Sequence, residues 1–122
     1  MSKKIIIYDD DMDLLEVCAL ILTAKNFEVV IRDKCTEIIE DIATHKPDVI
    51  LMDNWIPDIG GVKATRLVKN SSEFSHIPVI FFTANNNVTE LAAEAGADYS
   101  LQKPFDISEL ETIVTEAVNK KG

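Results

Sequence analysis

Residues 49–53 read Val-Ile-Leu-Met-Asp, and residues 54–61 continue as Asn-Trp-Ile-Pro-Asp-Ile-Gly-Gly. A short apolar run that is closed by turn-forming residues is typical of a buried strand in a parallel sheet. Ligands of open α/β sheets bind just beyond the carboxyl ends of such strands. Asp53 therefore occupies a position where chemistry is expected, although aspartate is also a common turn residue. The rest of the chain distinguishes between these interpretations.

Short β-rich runs of this kind alternate along the chain with segments of helical periodicity. The predicted strands are Ile5–Tyr8, Phe27–Ile31, Val49–Asp53, Val79–Thr83 and Tyr99–Leu101. Five strands that alternate with five helices favour a parallel sheet with helices on both faces. Because crossovers are right-handed, the strand order 2-1-3-4-5 is the common five-stranded solution, and we predict a doubly wound, flavodoxin-like α/β fold.

Each predicted helix has an apolar stripe, and most have a recognisable start. The predicted caps are one of Asp9-Asp10-Asp11, Thr36, Asn87 with Glu90, and Asp106 with Glu109. The third helix is expected to begin at Gly61. The residues expected to face the core include Leu14, Val17, Cys18, Ile21, Leu22, Ile38, Ile39, Ile42, Val62, Leu67, Val68, Val88, Leu91, Ala92, Ala95, Ile107, Leu110, Ile113, Val114, Ala117 and Val118.

Composition restricts the class of protein. The 122 residues, 47% of them hydrophobic, suffice for one domain with a single core. No apolar run approaches the ~18 residues that a membrane span requires, and the opening residues are too short for a secretory signal. A net charge of −9 argues against direct nucleic-acid binding. With Cys18 and Cys35 in no CxxC pattern, we expect a soluble cytoplasmic domain over residues 1–122, with no output domain in this chain.

Polar residues stand at the ends of four predicted strands. They are Asp9-Asp10-Asp11 after strand one, Asp53 after strand three, Thr83 after strand four and Lys103 after strand five. Because these strands are contiguous in the predicted order, their end groups converge at one edge of the sheet. Carboxylates brought together repel unless a cation neutralises them, and oxygen ligands favour Mg²⁺. Carboxylates, metal, lysine and hydroxyl are the groups that stabilise a phosphoryl group in transfer, and a carboxylate can be the nucleophile.

The chain resembles, over essentially its whole length, the receiver domain of bacterial two-component response regulators. The residues that carry the resemblance are Ile6-Ile7-Tyr8-Asp9-Asp10-Asp11, Leu51-Met52-Asp53, Pro57, Gly61, Phe82-Thr83-Ala84, Gly96-Ala97-Asp98 and Lys103-Pro104-Phe105. The resemblance implies that Asp53 accepts a phosphoryl group from a phosphohistidine on a sensor histidine kinase or a histidine phosphotransfer protein. It also implies that the chain is a signalling module rather than a conventional enzyme. This module would promote its own phosphorylation and slowly lose the phosphate.

The same resemblance implies a magnesium site. Asp10 would bind Mg²⁺ directly, and Asp53 would be a further metal residue. Asp9 would assist through water or a carboxylate contact, and Trp55 would contribute its backbone carbonyl. We also hypothesise that the bulky Trp55 side chain shields the acyl phosphate from water and so lengthens the lifetime of the phosphorylated form.

For the phosphate, the resemblance implies that Thr83 and Lys103 contact its oxygens, with Asn54 and Ala84 around it. The bond between Lys103 and Pro104 would be cis. The surface formed by the fourth helix, the fifth strand and the fifth helix would pass the signal to a downstream protein, whose identity the sequence does not give.

Ser100 stands where the family usually has an aromatic switch residue, three positions before the lysine. The neighbouring Tyr99 is expected to point to the other face of the sheet. A degenerate receiver that acts as a phosphorylation-independent interaction module is therefore an alternative function.

Two further classes fit less well. An aspartate-nucleophile phosphatase would use Asp9 and Asp11 with Thr83 and Lys103, which leaves Asp53 without a role. A flavodoxin-type redox carrier would need a phosphate-binding loop after the first strand, and no Gly/Ser/Thr-rich loop follows it.

Overall fold

Five strands and five helices alternate along the chain in a computed structural model that describes residues 3–54, 60–84 and 86–120. The strands are β1 (Lys4–Tyr8), β2 (Glu28–Arg32), β3 (Val49–Asp53), β4 (Val79–Thr83) and β5 (Tyr99–Gln102). The helices are α1 (Met12–Thr23), α2 (Ile38–His45), α3 (Gly60–Lys69), α4 (Val88–Ala95) and α5 (Ile107–Lys120). All paired strands are parallel and their order is β2-β1-β3-β4-β5, which confirms the predicted flavodoxin-like fold.

Two hydrophobic clusters hold the helices to the sheet. Because side chains alternate along a strand, each buried strand supplies residues to both faces. Phe81 of β4 packs on one face with apolar residues of α2, α3 and α4, while Phe82 packs on the other face with residues of α1 and α5. No described helix combines the length and apolar character that crossing a bilayer requires.

The helix starts show which predicted caps form. Asp106 and Glu109 cap α5 reciprocally, because each accepts a hydrogen bond from the backbone N–H of the other, at 3.1 and 2.7 Å. Asp11 lies in an extended backbone conformation, and its carboxylate accepts the N–H of Leu14 at 3.2 Å. Both interactions confirm predictions.

Two other predicted caps are wrong. Ile38 donates its N–H to the Cys35 carbonyl, so Thr36 lies inside a turn, and Glu37 precedes α2 without a side-chain cap bond. Asn87 precedes α4 but makes no side-chain cap bond. Its backbone, with φ −92° and ψ 24°, departs from the extended conformation that directs a capping side chain toward the first turn.

Four residues predicted to face the core are exposed instead. They are Val17, Ile39, Leu67 and Ile107, with exposed fractions between 38% and 57%. A helix that packs on one layer buries only a stripe of its surface, so apolar residues at the margin of that stripe stay in contact with solvent.

Candidate functional site

Three carboxylates meet at the carboxyl edge of the sheet. Asp9, Asp10 and Asp53 each place an oxygen within 4.8 Å of the others. The register of β1 and β3 explains why Asp9 and Asp53 lie side by side. Tyr8 pairs with Met52, and each of these two residues is followed directly by one of the aspartates. Asp9 and Asp53 are buried, whereas Asp10 is exposed. A hard, oxygen-only donor set of this kind fits Mg²⁺.

Lys103 provides the positive charge of the site. Its ammonium group donates to Asp9 at 2.7 Å and to Asp53 at 3.1 Å, and it lies 4.6 Å from the ring centroid of Phe82. The backbone N–H of Lys103 donates to the Thr83 carbonyl at 2.9 Å, which joins the end of β5 to the end of β4. The Lys103–Pro104 peptide bond is cis, as the resemblance implied.

The charges of the site are unbalanced, because one ammonium group pairs with two carboxylates and a third carboxylate, that of Asp10, lies beside them. Burial raises the pKa of Asp53 to about 6, the charge of Asp9 acts in the same direction, and Lys103 opposes both. Burial also raises the pKa of Asp9. For Lys103, burial alone would lower the pKa, but the bonds and charges of Asp9 and Asp53 outweigh it and raise the pKa. The excess negative charge is suited to a divalent cation.

The chain returns closely to Asp53 after the loop that follows β3. A Cβ atom at Gly61 would lie 1.9 Å from the carbonyl oxygen of Asp53, so only glycine fits there. Gly60 has a φ of +76°, a region that favours glycine, and the Gly61 N–H donates to the Asn54 carbonyl at 3.1 Å. The two glycines therefore allow α3 to begin, one residue earlier than predicted, directly against the site.

The remaining predicted phosphate-site residues lie around this edge. Thr83 ends β4 and is buried, one residue beyond the partner of Asp53 in the register of β3 and β4. Asn54 is half-buried directly after Asp53, and Ala84 is exposed directly after Thr83. Trp55, for which a metal contact and a shielding role were predicted, lies outside the described residues.

Ser100 and Tyr99 lie as the alternation of the strand predicts. Tyr99 packs against the hydrophobic cluster on the α1 and α5 face of the sheet. Ser100 pairs with Phe81 of the neighbouring strand β4 and is half-buried. Asp11 serves as the cap of α1 rather than joining the three carboxylates, which does not favour the phosphatase arrangement.

A polar network beside the site was not predicted. The hydroxyl group of Tyr8 donates to Asp41 of α2 at 2.8 Å, and Asp41 also faces Arg32 at 3.6 Å. The only signal in the sequence is a tyrosine that follows three isoleucines at the end of the strand.

Sequence comparison identifies a family and its members. The model of the response regulator receiver domain family matches residues 5–115. The CAI-1 autoinducer sensor kinase/phosphatase CqsS of Vibrio cholerae is 32% identical over 108 residues, which are 86% of this chain and 16% of that protein. The DNA-binding response regulator MtrA of Mycolicibacterium paratuberculosis is 28% identical over 112 residues, which are 90% of this chain and 48% of that protein. The chain thus spans less than half the length of either relative.

Structural comparison gives the same fold. The receiver domain of the sensor histidine kinase PA1611 from Pseudomonas aeruginosa matches with a TM-score of 0.89 and 24% identity. The match covers 98% of this chain and 100% of that domain, which holds a magnesium ion in its active-site cleft.

Proposed function

The chain belongs to the response regulator receiver domain family, whose model matches residues 5–115, and on this premise we propose that it is a phospho-acceptor of two-component signalling. Its donor is a phosphohistidine on a sensor histidine kinase or a histidine phosphotransfer protein, and its acceptor is Asp53. The observation that carries the proposal is the buried Asp53 carboxylate, which lies 3.1 Å from the Lys103 ammonium beside two further carboxylates.

The residues that would hold Mg²⁺ are Asp10 and Asp53, with Asp9 in support and the backbone carbonyl of Trp55. The support for this assignment is the set of three carboxylates, which Lys103 alone balances among the described residues. When bound, Mg²⁺ would supply positive charge that stabilises the phosphoryl group in transfer.

In the transfer, a carboxylate oxygen of Asp53 attacks phosphorus while the bond from phosphorus to the histidine nitrogen breaks. The electron pair of that bond stays on the imidazole, and the product is an acyl phosphate. With a pKa of about 6, Asp53 is mostly ionised at pH 7 and available as the nucleophile. Lys103 then pairs with one phosphate oxygen, and the hydroxyl group of Thr83 donates a hydrogen bond to a phosphate oxygen. Asn54 and Ala84 lie around the phosphoryl group.

The signal leaves through the surface formed by α4, β5 and α5 toward a downstream protein. Two backbone features support this route, because Thr83 pairs with Gln102 in the sheet and Lys103 donates its N–H to Thr83. Both phosphate-contacting residues are therefore joined to β5. Cytoplasmic location is part of the proposal, since Cys18 and Cys35 form no disulfide within the described residues.

The test is the intact mass of the protein after incubation with acetyl phosphate, with and without Mg²⁺. We expect one added phosphoryl group in the wild type, none without Mg²⁺, and none in Asp53→Asn. Asp98→Asn, which changes a carboxylate at the opposite edge of the sheet, is the matched control and should gain the group normally.

Ser100 favours a second candidate, the phosphorylation-independent interaction module. An unmodified but folded wild type would favour that module over the proposed function. Modification that persists in Asp53→Asn would instead identify another nucleophile.

A further inference from the structure

Tyr8 is a buried polar residue that the proposed chemistry does not use. It ends β1, directly before Asp9, and its side chain is fully buried on the α2 face of the sheet. Its hydroxyl group donates to Oδ2 of Asp41 at 2.8 Å. Burial, and then the bond to Asp41, raise the pKa of the phenol above its usual value, so the group remains a hydrogen-bond donor.

Arg32 approaches the same carboxylate from β2. Its Nε lies 3.6 Å from Oδ1 of Asp41, and its Nη2 lies 3.3 Å from Nε2 of His45, one turn further along α2. The backbone carbonyl of Arg32 accepts the N–H of Asp9 at 3.1 Å. The side chain of Arg32 is therefore anchored on α2, while its main chain holds the main chain of Asp9.

These contacts connect the backbone of Asp9 to the carboxylate of Asp41 by two routes. One route is covalent, through Tyr8, and the other is the hydrogen bond to Arg32. Asp41 contacts both side chains, and its own side chain is only 14% exposed. The Asp9 carboxylate that projects from this backbone meets Lys103 at 2.7 Å and accepts the N–H of Asp11 at 2.9 Å.

We propose that Asp41 is a positioning residue for the magnesium site, which it orders by holding the backbone of Asp9 through Tyr8 and Arg32. This inference deepens the proposed function and rests on it. Metal ligands need support from residues behind them, because small displacements of a carboxylate weaken the site. A purely structural role, in which Asp41 only attaches α2 to the sheet, would lower stability and leave metal affinity unchanged.

The experiment compares Tyr8→Phe and Asp41→Ala with a matched control, Asp98→Ala. Asp98 also accepts hydrogen bonds from a neighbouring strand and a cation, because its carboxylate binds the N–H of Val79 at 2.9 Å and Lys69 at 2.6 Å. Asp98 directly precedes β5 and contacts the first residue of β4, so it lies at the amino edge of the sheet, away from the carboxylate site. Mg²⁺ affinity is measured by calorimetric titration of the full chain.

We expect the Mg²⁺ dissociation constant to rise about tenfold in Asp41→Ala and about threefold in Tyr8→Phe. In Asp98→Ala it should stay within about twofold of the wild type. Without metal, the amide hydrogen of Asp9 should exchange faster in Asp41→Ala than in Asp98→Ala.

Equal Mg²⁺ affinities in Tyr8→Phe, Asp98→Ala and the wild type would overturn the inference and leave the proposed function intact. Tyr8→Phe removes a single oxygen atom, so it decides the matter even if Asp41→Ala does not fold. Absence of Mg²⁺ binding by the wild type would overturn the proposed function and this inference together.

Discussion

Two lysines of similar exposure, Lys69 and Lys103, hold the opposite edges of the sheet, with side chains 15% and 19% exposed. Lys69, at the end of α3, donates to the carbonyls of Ser75 and Ile77 at 3.0 and 2.7 Å and pairs with Asp98 at 2.6 Å. One ammonium group thus meets one carboxylate and two neutral acceptors. Charge is therefore balanced in this cluster at the amino edge.

At the carboxyl edge the same kind of ammonium group is outnumbered. Lys103 is shared between Asp9 and Asp53, whose side chains are almost completely buried, and Asp10 lies beside them. Buried like charges cost free energy unless another cation joins them. The amino edge therefore stabilises the fold, whereas the carboxyl edge gives up stability to keep buried carboxylates close together.

The largest expected difference between the edges comes from a glycine beside each cluster. Gly61→Ala should lower the free energy of unfolding by about 4 kcal/mol, because its Cβ would overlap the backbone of Asp53. Gly96→Ala beside Lys69 should cost about 1–2 kcal/mol, because its Cβ would make only ordinary contacts with the Lys69 side chain, at 3.8 Å, and only its φ of +82° opposes a side chain. Urea unfolding measures both, and equal costs would contradict the close approach at Gly61.

The second difference is the effect of pH on stability without divalent cations. The folded pKa of Asp53 is about 6, and the unfolded value is near 3.9, so the folded state binds more protons between these values. Stability therefore falls as the pH rises from 4 to 6, by up to about 3 kcal/mol for this group.

Asp53→Asn should remove that dependence and be more stable than the wild type at pH 7, with the difference vanishing near pH 4. Asp98→Asn should be less stable than the wild type at pH 7, because Lys69 loses its charged partner. Thermal unfolding across pH checks both, and the same sign for the two variants would refute the comparison.

The third difference concerns the rate of phosphoryl uptake. Lys103→Met should slow uptake from acetyl phosphate about 100-fold, because the phosphate oxygens lose a positioned cation. Lys69→Met should lower stability and leave the rate within about twofold of the wild type, since its cluster touches no reacting group. Mass spectrometry over time gives both rates, and a normal rate in Lys103→Met would remove that lysine from the site.

The smallest expected effect is stabilisation by Mg²⁺. At ten times its dissociation constant, the ion should add about 1.4 kcal/mol to the free energy of unfolding of the wild type and of Asp98→Asn. Asp10→Asn should gain much less, because it lacks one of the three carboxylates. A thermal-shift titration measures this, and equal gains in all three proteins would place the ion elsewhere.

The sequence was sufficient for the strand order and for the meeting of Asp9, Asp53 and Lys103. Both follow from local patterns, because parallel neighbours end at the same edge and the end residues can be read directly. The reciprocal cap of Asp106 and Glu109 was predictable for the same reason, since all its atoms lie within four residues.

Features that depend on how a helix packs or on the path of a turn were not predictable in this way. Tyr8 and Asp41 are 33 positions apart, and their hydrogen bond depends on where α2 packs. Thr36 has a suitable side chain for a cap, but the turn between Cys35 and Ile38 determines where the helix begins. Residue type indicates which bonds are chemically allowed, and the backbone path selects among them.

The two outer strands of the sheet affect whether the protein aggregates at high concentration. β2 and β5 border the sheet, and an exposed strand edge invites pairing with another molecule. β5 is only four residues long, so it offers few backbone groups for pairing with a second sheet. β2 begins with Glu28 and ends with Arg32, so a second sheet that paired with β2 would meet a charged residue at each end of the strand. The fold therefore carries its own protection against edge-to-edge aggregation.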